Sequence, residues 1–458
     1  MKKYIDRPFI FLLFLTVTLQ SCDDYLDVDP KGVRLLETVE DYDLWMNNYY
    51  GFYPDEMNLL SDFADKLDVS DPPVDINSRV YTWQSQFNED VTSASTPIWE
   101  DHYGFIYHVN AVIKDVENAS GGTEEVKNKL KAEALLGRAF EYLHLVNLYG
   151  KVYNPSTANQ DLAVPFMTGV DVTDEVPNRS TVQEIYNHII EDLTEALPNL
   201  PEDNSDNRFR ASKAAGYSVL ARAYLYMGEY SIAADNAQMA IDYSLDPIIN
   251  YEELMATSTE FPSLVQRSGT IYAKYGGTNI QFPTLEFYNS FEENDLRRQI
   301  YYTQPWDPNT PPARGEIIFV PFGVSIWNAY PNWGTSVSEM HLIIAEAAAR
   351  DNDLVTANEQ LHQLRKNRFT TENYVKFESS DQEEVLQKIL TERTFEFAFN
   401  GLRWYDMKRL AAEGRMPEVT RLGAEGSTIA TLPPDSDRYT LQIPVQVMSF
   451  NPDWEQNP

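Results

Sequence analysis

Residues 217–241 read YSVLARAYLYMGEYSIAADNAQMAI. Leu220, Ala221, Tyr224, Gly228, Tyr230, Ala233, Ala237 and Ala240 fall at the spacings of a tetratricopeptide repeat, in which two antiparallel helices meet through small residues. Alanine matters at such positions because it lets backbones approach closely. A second copy, LIIAEAAARDNDLVTANEQLHQLRKNR at 342–368, repeats from Ala345 to Ala357 the twelve-residue step from Ala221 to Ala233. Each helix pair buries its apolar face only against neighbours, so several units must stack.

The same periodicity extends towards the N-terminus. In KAEALLGRAFEYLHLVNLYG, Leu135, Ala139, Tyr142, Val146 and Tyr149 form one apolar stripe ended by Gly150. In RSTVQEIYNHIIEDLTEALPNLP, Ser180 and Gln183 have capping-box spacing, and Val182, Ile185, Ile189, Leu193 and Ala196 face one way until Pro198 and Pro201. These helices, at 127–149 and 180–197, are expected to pair across a long loop. Trp99, Ile106 and Val109 lie on the core side of a further helix. The pattern lapses between about 246 and 335, where TQPWDPNTPPARGE and SIWNAYPNWGT are rich in Pro, Gly, Asn and aromatics. Loops this long inside a compact domain are usually functional. SDFADKLDVSDPPVDINSRVYTWQSQ, at 61–86, has the same nonhelical character.

The N-terminus is of another kind. Lys2, Lys3 and Arg7 precede an apolar run from Phe9 to Leu19, then Gln20, Ser21 and Cys22, the only cysteine. This is the order of a secretion signal, and the run is far short of the ~20 residues that span a bilayer. Leu19, Ser21 and Cys22 resemble the lipobox of a bacterial lipoprotein, in which the cysteine carries the lipid tether. Residues 1–21 are read as signal peptide and 22–34 as an acidic tether. A lone cysteine forms no intrachain disulfide, so the fold is stabilised by packing. A formal charge of −34 repels nucleic acid and anionic lipid, while 43% hydrophobic content supplies a core. No Gly/Ser-rich linker divides the chain, so 35–458 is read as one globular domain, with helix pairs near 127–245 and 336–412 and a loop-rich ligand-binding insertion near 246–335.

Catalytic and metal chemistry find little support. The six histidines form no HExxH, no thiolate zinc cluster exists, and DVDPKG places Lys31 where a calcium loop needs a ligand. No phosphate loop, dinucleotide fingerprint or nucleophile elbow appears. In ERTFEFAFNGLRWYDMKRL, at 392–410, Arg393 with Glu396 and Arg403 with Asp406 sit three apart, the spacing of helical ion pairs. A structural charge network is expected there, with no catalytic residue, cofactor or metal.

Seven segments in order, CDDYLDVDPKG, GRAFEYLHLVNLYGKVY, ASKAAGYSVLARAYLYMGEY, EFYNSFEENDLRRQI, IIAEAAARDND, ERTFEFAFNGLRWYDMKRL and YTLQIPVQVMSFNPDWEQNP, resemble the SusD/RagB family of surface lipoproteins. The resemblance implies a mainly α fold of tetratricopeptide-like helix pairs with irregular aromatic-rich loops. It also implies a cell-surface subunit that captures a nutrient, typically a glycan, and caps a SusC-like TonB-dependent transporter in the outer membrane. Cys22 is then the lipidated anchor, and Asp23 and Asp24 resemble the acidic signal for surface export. Sugars present flat C–H faces edged by hydroxyls, which exposed aromatic planes and polar partners recognise. Tyr81 and Trp83 in one irregular segment, and Trp306, Trp327 and Trp333 in the other, are the candidate ligand-binding rings. A helical carbohydrate-active enzyme and a repeat protein that binds peptide or protein are the alternatives.

Overall fold

A computed structural model describes residues 36–47, 52–171, 173, 175–258, 261–277, 281–305, 314–320 and 331–458. The signal segment, Cys22 and the tether lie outside the described residues. The longer helices are α1 (Val39–Asn47), α2 (Trp99–Asp115), α3 (Glu124–Tyr149), α4 (Val182–Ala196) and α5 (Lys213–Met227). They continue with α6 (Tyr230–Ser244), α7 (Val337–Arg350), α8 (Leu354–Arg365), α9 (Gln382–Glu396) and α10 (Arg403–Ala412). Among the described residues no helix is long and apolar enough to cross a membrane.

Side chains that cap free backbone amides set most helix starts. Thr123 accepts from Val126 N–H, Ser212 from Ala215, Ser336 from Glu339 and Asp381 from Glu384. The box at α4 is Thr181 with Glu184, one residue later than the Ser180 and Gln183 read from the sequence. Ser180 instead lies in a short strand, 179–181, paired with 162–165. Gly228 ends α5 with a φ of 78°, the left-handed turn that lets α6 fold straight back.

The repeat register holds. α5 packs on α6, α6 on α7, and α7 on α8, while α2, α3 and α4 form a run of neighbours joined to α5. Ala221, Ala233, Ala345 and Ala357 are all 0% exposed, so the backbones meet where the sequence placed its methyl groups. Trp99, Ile106 and Val109 are buried as expected.

α3 exceeds the single stripe read from its sequence: every residue from 132 to 146 is buried. Its polar side chains must therefore find partners inside. Arg138 donates two bonds to Asp192 of α4 at 2.7 and 2.8 Å, His102 of α2 meets Glu141 at 2.7 Å, and His144 meets the Tyr405 hydroxyl at 2.8 Å. Residues 455–457 close the end of this helix. Asn457 Nδ2 donates to the carbonyls of Tyr149 and Leu441, while Arg179 donates to the Glu455 carbonyl and to Asn457 Oδ1.

Candidate functional site

The 246–335 segment is stitched by short strands. Residues 270–272 pair antiparallel with 335–336, joining its two ends, and 302–303 pair with 318–319. Short helices at 251–257, 285–290 and 297–301 punctuate it. Charge fastens it to the helices. Arg297, 0% exposed, bonds Asp295 at 2.6 Å and Glu392 of α9 at 2.7 Å. Arg365 also reaches Glu392, and Arg368 holds Glu396 at 2.5 Å. Burial alone would raise the Glu392 carboxyl, but Arg297, Arg365 and Lys388 outweigh it and hold it at about 2. Buried charges survive here because opposite charges meet them inside, Arg297 and Glu392 having more than one such partner each.

Between this segment and α7 to α9 lies a cavity of about 110 Å³. Aromatic side chains line part of it: Phe261 and Tyr301 stack at 5.7 Å and Tyr301 and Phe319 at 5.6 Å, and behind them Phe319 meets Phe399 at 4.7 Å. Arg267 covers Phe261 at 4.8 Å and Arg368 covers Tyr251 at 4.0 Å. Burial pulls the Arg267 guanidinium down to about 10, and burial raises the Tyr251 hydroxyl. The polar lining includes Ser268, Ser336, Ser338, Asn332 and Asn400. Aromatic groups together with hydroxyls and amides are the kinds of group that recognise a sugar's C–H surface and hydroxyl edge.

The five candidate rings are distributed otherwise than the sequence suggested. Trp306 and Trp327 lie outside the described residues. Trp83, Tyr81 and Trp333 are 2%, 1% and 0% exposed, and this corrects their reading as surface platforms. The reason for the first two is Arg421, whose guanidinium sits 4.3 Å from each ring and donates to the carbonyls of Tyr81, Ala64, Leu59 and Ser61. Trp83 takes a φ of 52° and its Nε1 donates to the Leu60 carbonyl, while Tyr81 ends a short helix, 76–81, in a segment read as nonhelical. Trp333 lies between glycines: a Cβ at Gly276 would come within 2.1 Å of its indole, and one at Gly401 within 2.6 Å.

The cavity residues Tyr251, Phe261, Tyr301, Phe319 and Asn400 escaped sequence reading. The aromatic density of 246–335 marks the region but not the rings. For Asn400 the signal was the Asn-Gly dipeptide at 400–401, a turn marker inside a segment read as helix. The chain does turn there, between α9 and α10, and Arg393 and Arg403 pair outside the expected i, i+3 spacing. Arg393 bonds Asp406 at 2.9 Å and Arg403 bonds Asp62 at 2.6 Å. The charge network itself is present and runs on through Arg409 to Glu346 at 2.5 Å. Among the described residues no group of three or more His, Cys, Asp or Glu is placed to hold a metal ion. His102 is fully buried, and His108 stacks on Trp45 at 4.3 Å, where burial pulls its imidazole down to about 4.

Known proteins were compared with this framework. A family described as starch-binding and associating with the outer membrane matches residues 24–225, and the SusD family matches residues 336–458. The chain belongs to the SusD/RagB family. SusD-like proteins P25 and P2 of Formosa agariphila are 22% and 24% identical to it, over 87% and 90% of this chain and 89% and 91% of theirs. A SusD superfamily protein of Bacteroides thetaiotaomicron superposes with a TM-score of 0.74 at 20% identity, covering 92% of this chain and all of the other. A surface glycan-binding protein A of Bacteroides uniformis superposes with a TM-score of 0.68 at 16% identity, covering 92% and 99%. The SusD fold of tetratricopeptide-like helix pairs is thus the fold of this chain.

Proposed function

We propose that this SusD family member is a glycan-binding lipoprotein, anchored through Cys22 at the outer cell surface, that passes its ligand to a SusC-like TonB-dependent transporter. The observation that carries this reading is the gap between the two family matches. Residues 226–335 fall between them, and they include the insertion that lines one side of the cavity. The scaffold is what the family shares, and the segment outside the matches is suited to set which glycan is held. The family description and the glycan-binding relative support the ligand class. Recognition of this kind needs no cofactor or metal, and the chain is read as a binding protein without catalytic residues.

The direct test is retention of the purified protein by immobilised starch, laminarin, xylan and alginate, with reducing ends assayed in parallel. Retention without new reducing ends is expected; new reducing ends would establish an enzyme instead. Trp306 and Trp327 remain the proposed stacking rings. Trp306→Ala is expected to weaken binding by about 1–2 kcal/mol with the fold intact. Cys22→Ala is expected to abolish acyl labelling and release the protein from membranes, and continued labelling would overturn the anchor. Gentle extraction of the outer membrane should recover the chain with a large β-barrel; recovery alone, while other complexes survive, counts against the partnership.

A further inference from the structure

Most polar groups of the cavity are already occupied, and the Asn400 carboxamide is not. Asn332 Oδ1 accepts from the N–H groups of Lys274 and Gly334, and its Nδ2 donates to the Thr335 carbonyl. Ser336 caps α7 and meets Ser338 at 3.0 Å. Arg368 and Glu396 hold each other. The Asn400 carboxamide, on a residue only 9% exposed, makes no hydrogen bond, and its Oδ1 is shut from solvent. A buried amide without a partner is costly, so such a group in a native fold asks for an explanation.

The turn carrying Asn400 is firmly built, which excludes slack as that explanation. Asn58 Nδ2 donates to the Phe399 carbonyl, and the Gly401 N–H donates to Asn58 Oδ1, so one side chain clasps the turn from both sides. Phe399 is held at a φ of 59°, rare for a bulky residue, with its ring against Phe63 and Phe319. Gly401, with a φ of 80°, is backed by Trp333. Asn400 is thereby fixed in the cavity lining that also holds Phe261, Tyr301 and Phe319. The volume, about 110 Å³, compares with the roughly 10–15 Å³ needed by one water. It takes several waters or a single sugar ring, not a chain of them.

We propose that this cavity is a subsite for one terminal, uncharged sugar ring, and that the Asn400 carboxamide is its hydrogen-bonding determinant. The inference rests on the glycan reading above and adds that part of the ligand enters end-on. The aromatic lining gives apolar contact to the C–H groups of the sugar, and the carboxamide Nδ2 donates to one of its hydroxyls. Satisfying a buried amide discriminates strongly against ligands that lack the hydroxyl.

The test uses the full mature chain with free glucose, galactose, mannose, xylose and rhamnose as probes in saturation-transfer NMR. Asn400→Ala and Ser268→Tyr are run beside the parent, the second filling the cavity from the insertion side without touching the turn. At least one monosaccharide is expected to receive saturation from the parent, with affinity lost about tenfold in Asn400→Ala and signal abolished in Ser268→Tyr. If Asn400→Ala does not fold, Ser268→Tyr carries the comparison. No transfer from any of the five, or transfer unchanged in the variants, overturns the subsite. The polysaccharide retention assay separates the two readings. Retention by parent and variants alike, without monosaccharide contact, sinks the subsite and spares the glycan function; no retention at all sinks the glycan function itself.

Discussion

Helices α5 to α8 pack through side chains reduced to a methyl group, whereas the 246–335 segment and the stretch around Tyr81 pack through the largest side chains in the chain. In the first region Ala221, Ala233, Ala345 and Ala357 vanish from the surface because nothing else fits between the backbones. In the second, guanidinium groups do the joining: Arg421 gathers four carbonyls and two rings, and Arg297 gathers three carboxylates. Methyl-mediated packing repeats with the helix period and is local. Packing around an arginine has no period, and its partners lie far away in sequence.

Breaking the arginine side should cost most. Arg421→Met strands four carbonyls in the interior, and the expected loss is about 3–5 kcal/mol in chemical denaturation. A loss no larger than that of a surface substitution would show that water replaces the guanidinium. Next comes acid. Glu392 titrates at about 2 in the fold against an ordinary 4.5, so its stabilisation is complete above the ordinary value and lost as pH falls through 4.5 towards 2. The Glu346 and Asp406 carboxyls are lowered too, since their arginines outweigh burial, and they act in the same direction. A decline of about 3 kcal/mol from Glu392 alone is expected over that window, and Glu392→Gln, weaker at neutral pH, should decline less steeply. The methyl side is probed by Ala233→Leu, expected to overpack and destabilise by about 1–3 kcal/mol; an unchanged melting temperature would break the register argument. Smallest is Trp83→Phe, which keeps the ring over Arg421 but loses the bond to the Leu60 carbonyl, for about 1 kcal/mol. Glycan retention should stay at the parent level, and a fall there would return Trp83 to the binding surface.

The same contrast explains what was legible in the sequence. Ala221 with Ala233, and Ala345 with Ala357, could be read because their burial follows from spacing alone. Trp83 could not: its ring is buried by Arg421, and the 337 intervening positions carry no trace of that meeting. The charged segment at 392–410 was readable as a network but not as its pairings, because the partners are set by packing against other elements: Arg393 meets Asp406 of α10, and Arg403 meets Asp62. The cavity was legible only as a region. Aromatic density announced it, while the ring that faces inward is chosen by strand pairs that close the insertion on itself.

The seal that residues 455–457 form over Tyr149 and Arg179 sets an order in time. Asn457 is synthesised some three hundred positions after the helix end it covers, so the C-terminal carbonyl of α3 stays uncovered until those positions have been made. Domains fold as units once their contacts are available, and this contact becomes available only after residue 457 has been made. Ribosome-bound chains halted before residue 455 should therefore stay open to protease near Tyr149, and chains long enough to expose Asn457 outside the ribosome should lose that sensitivity.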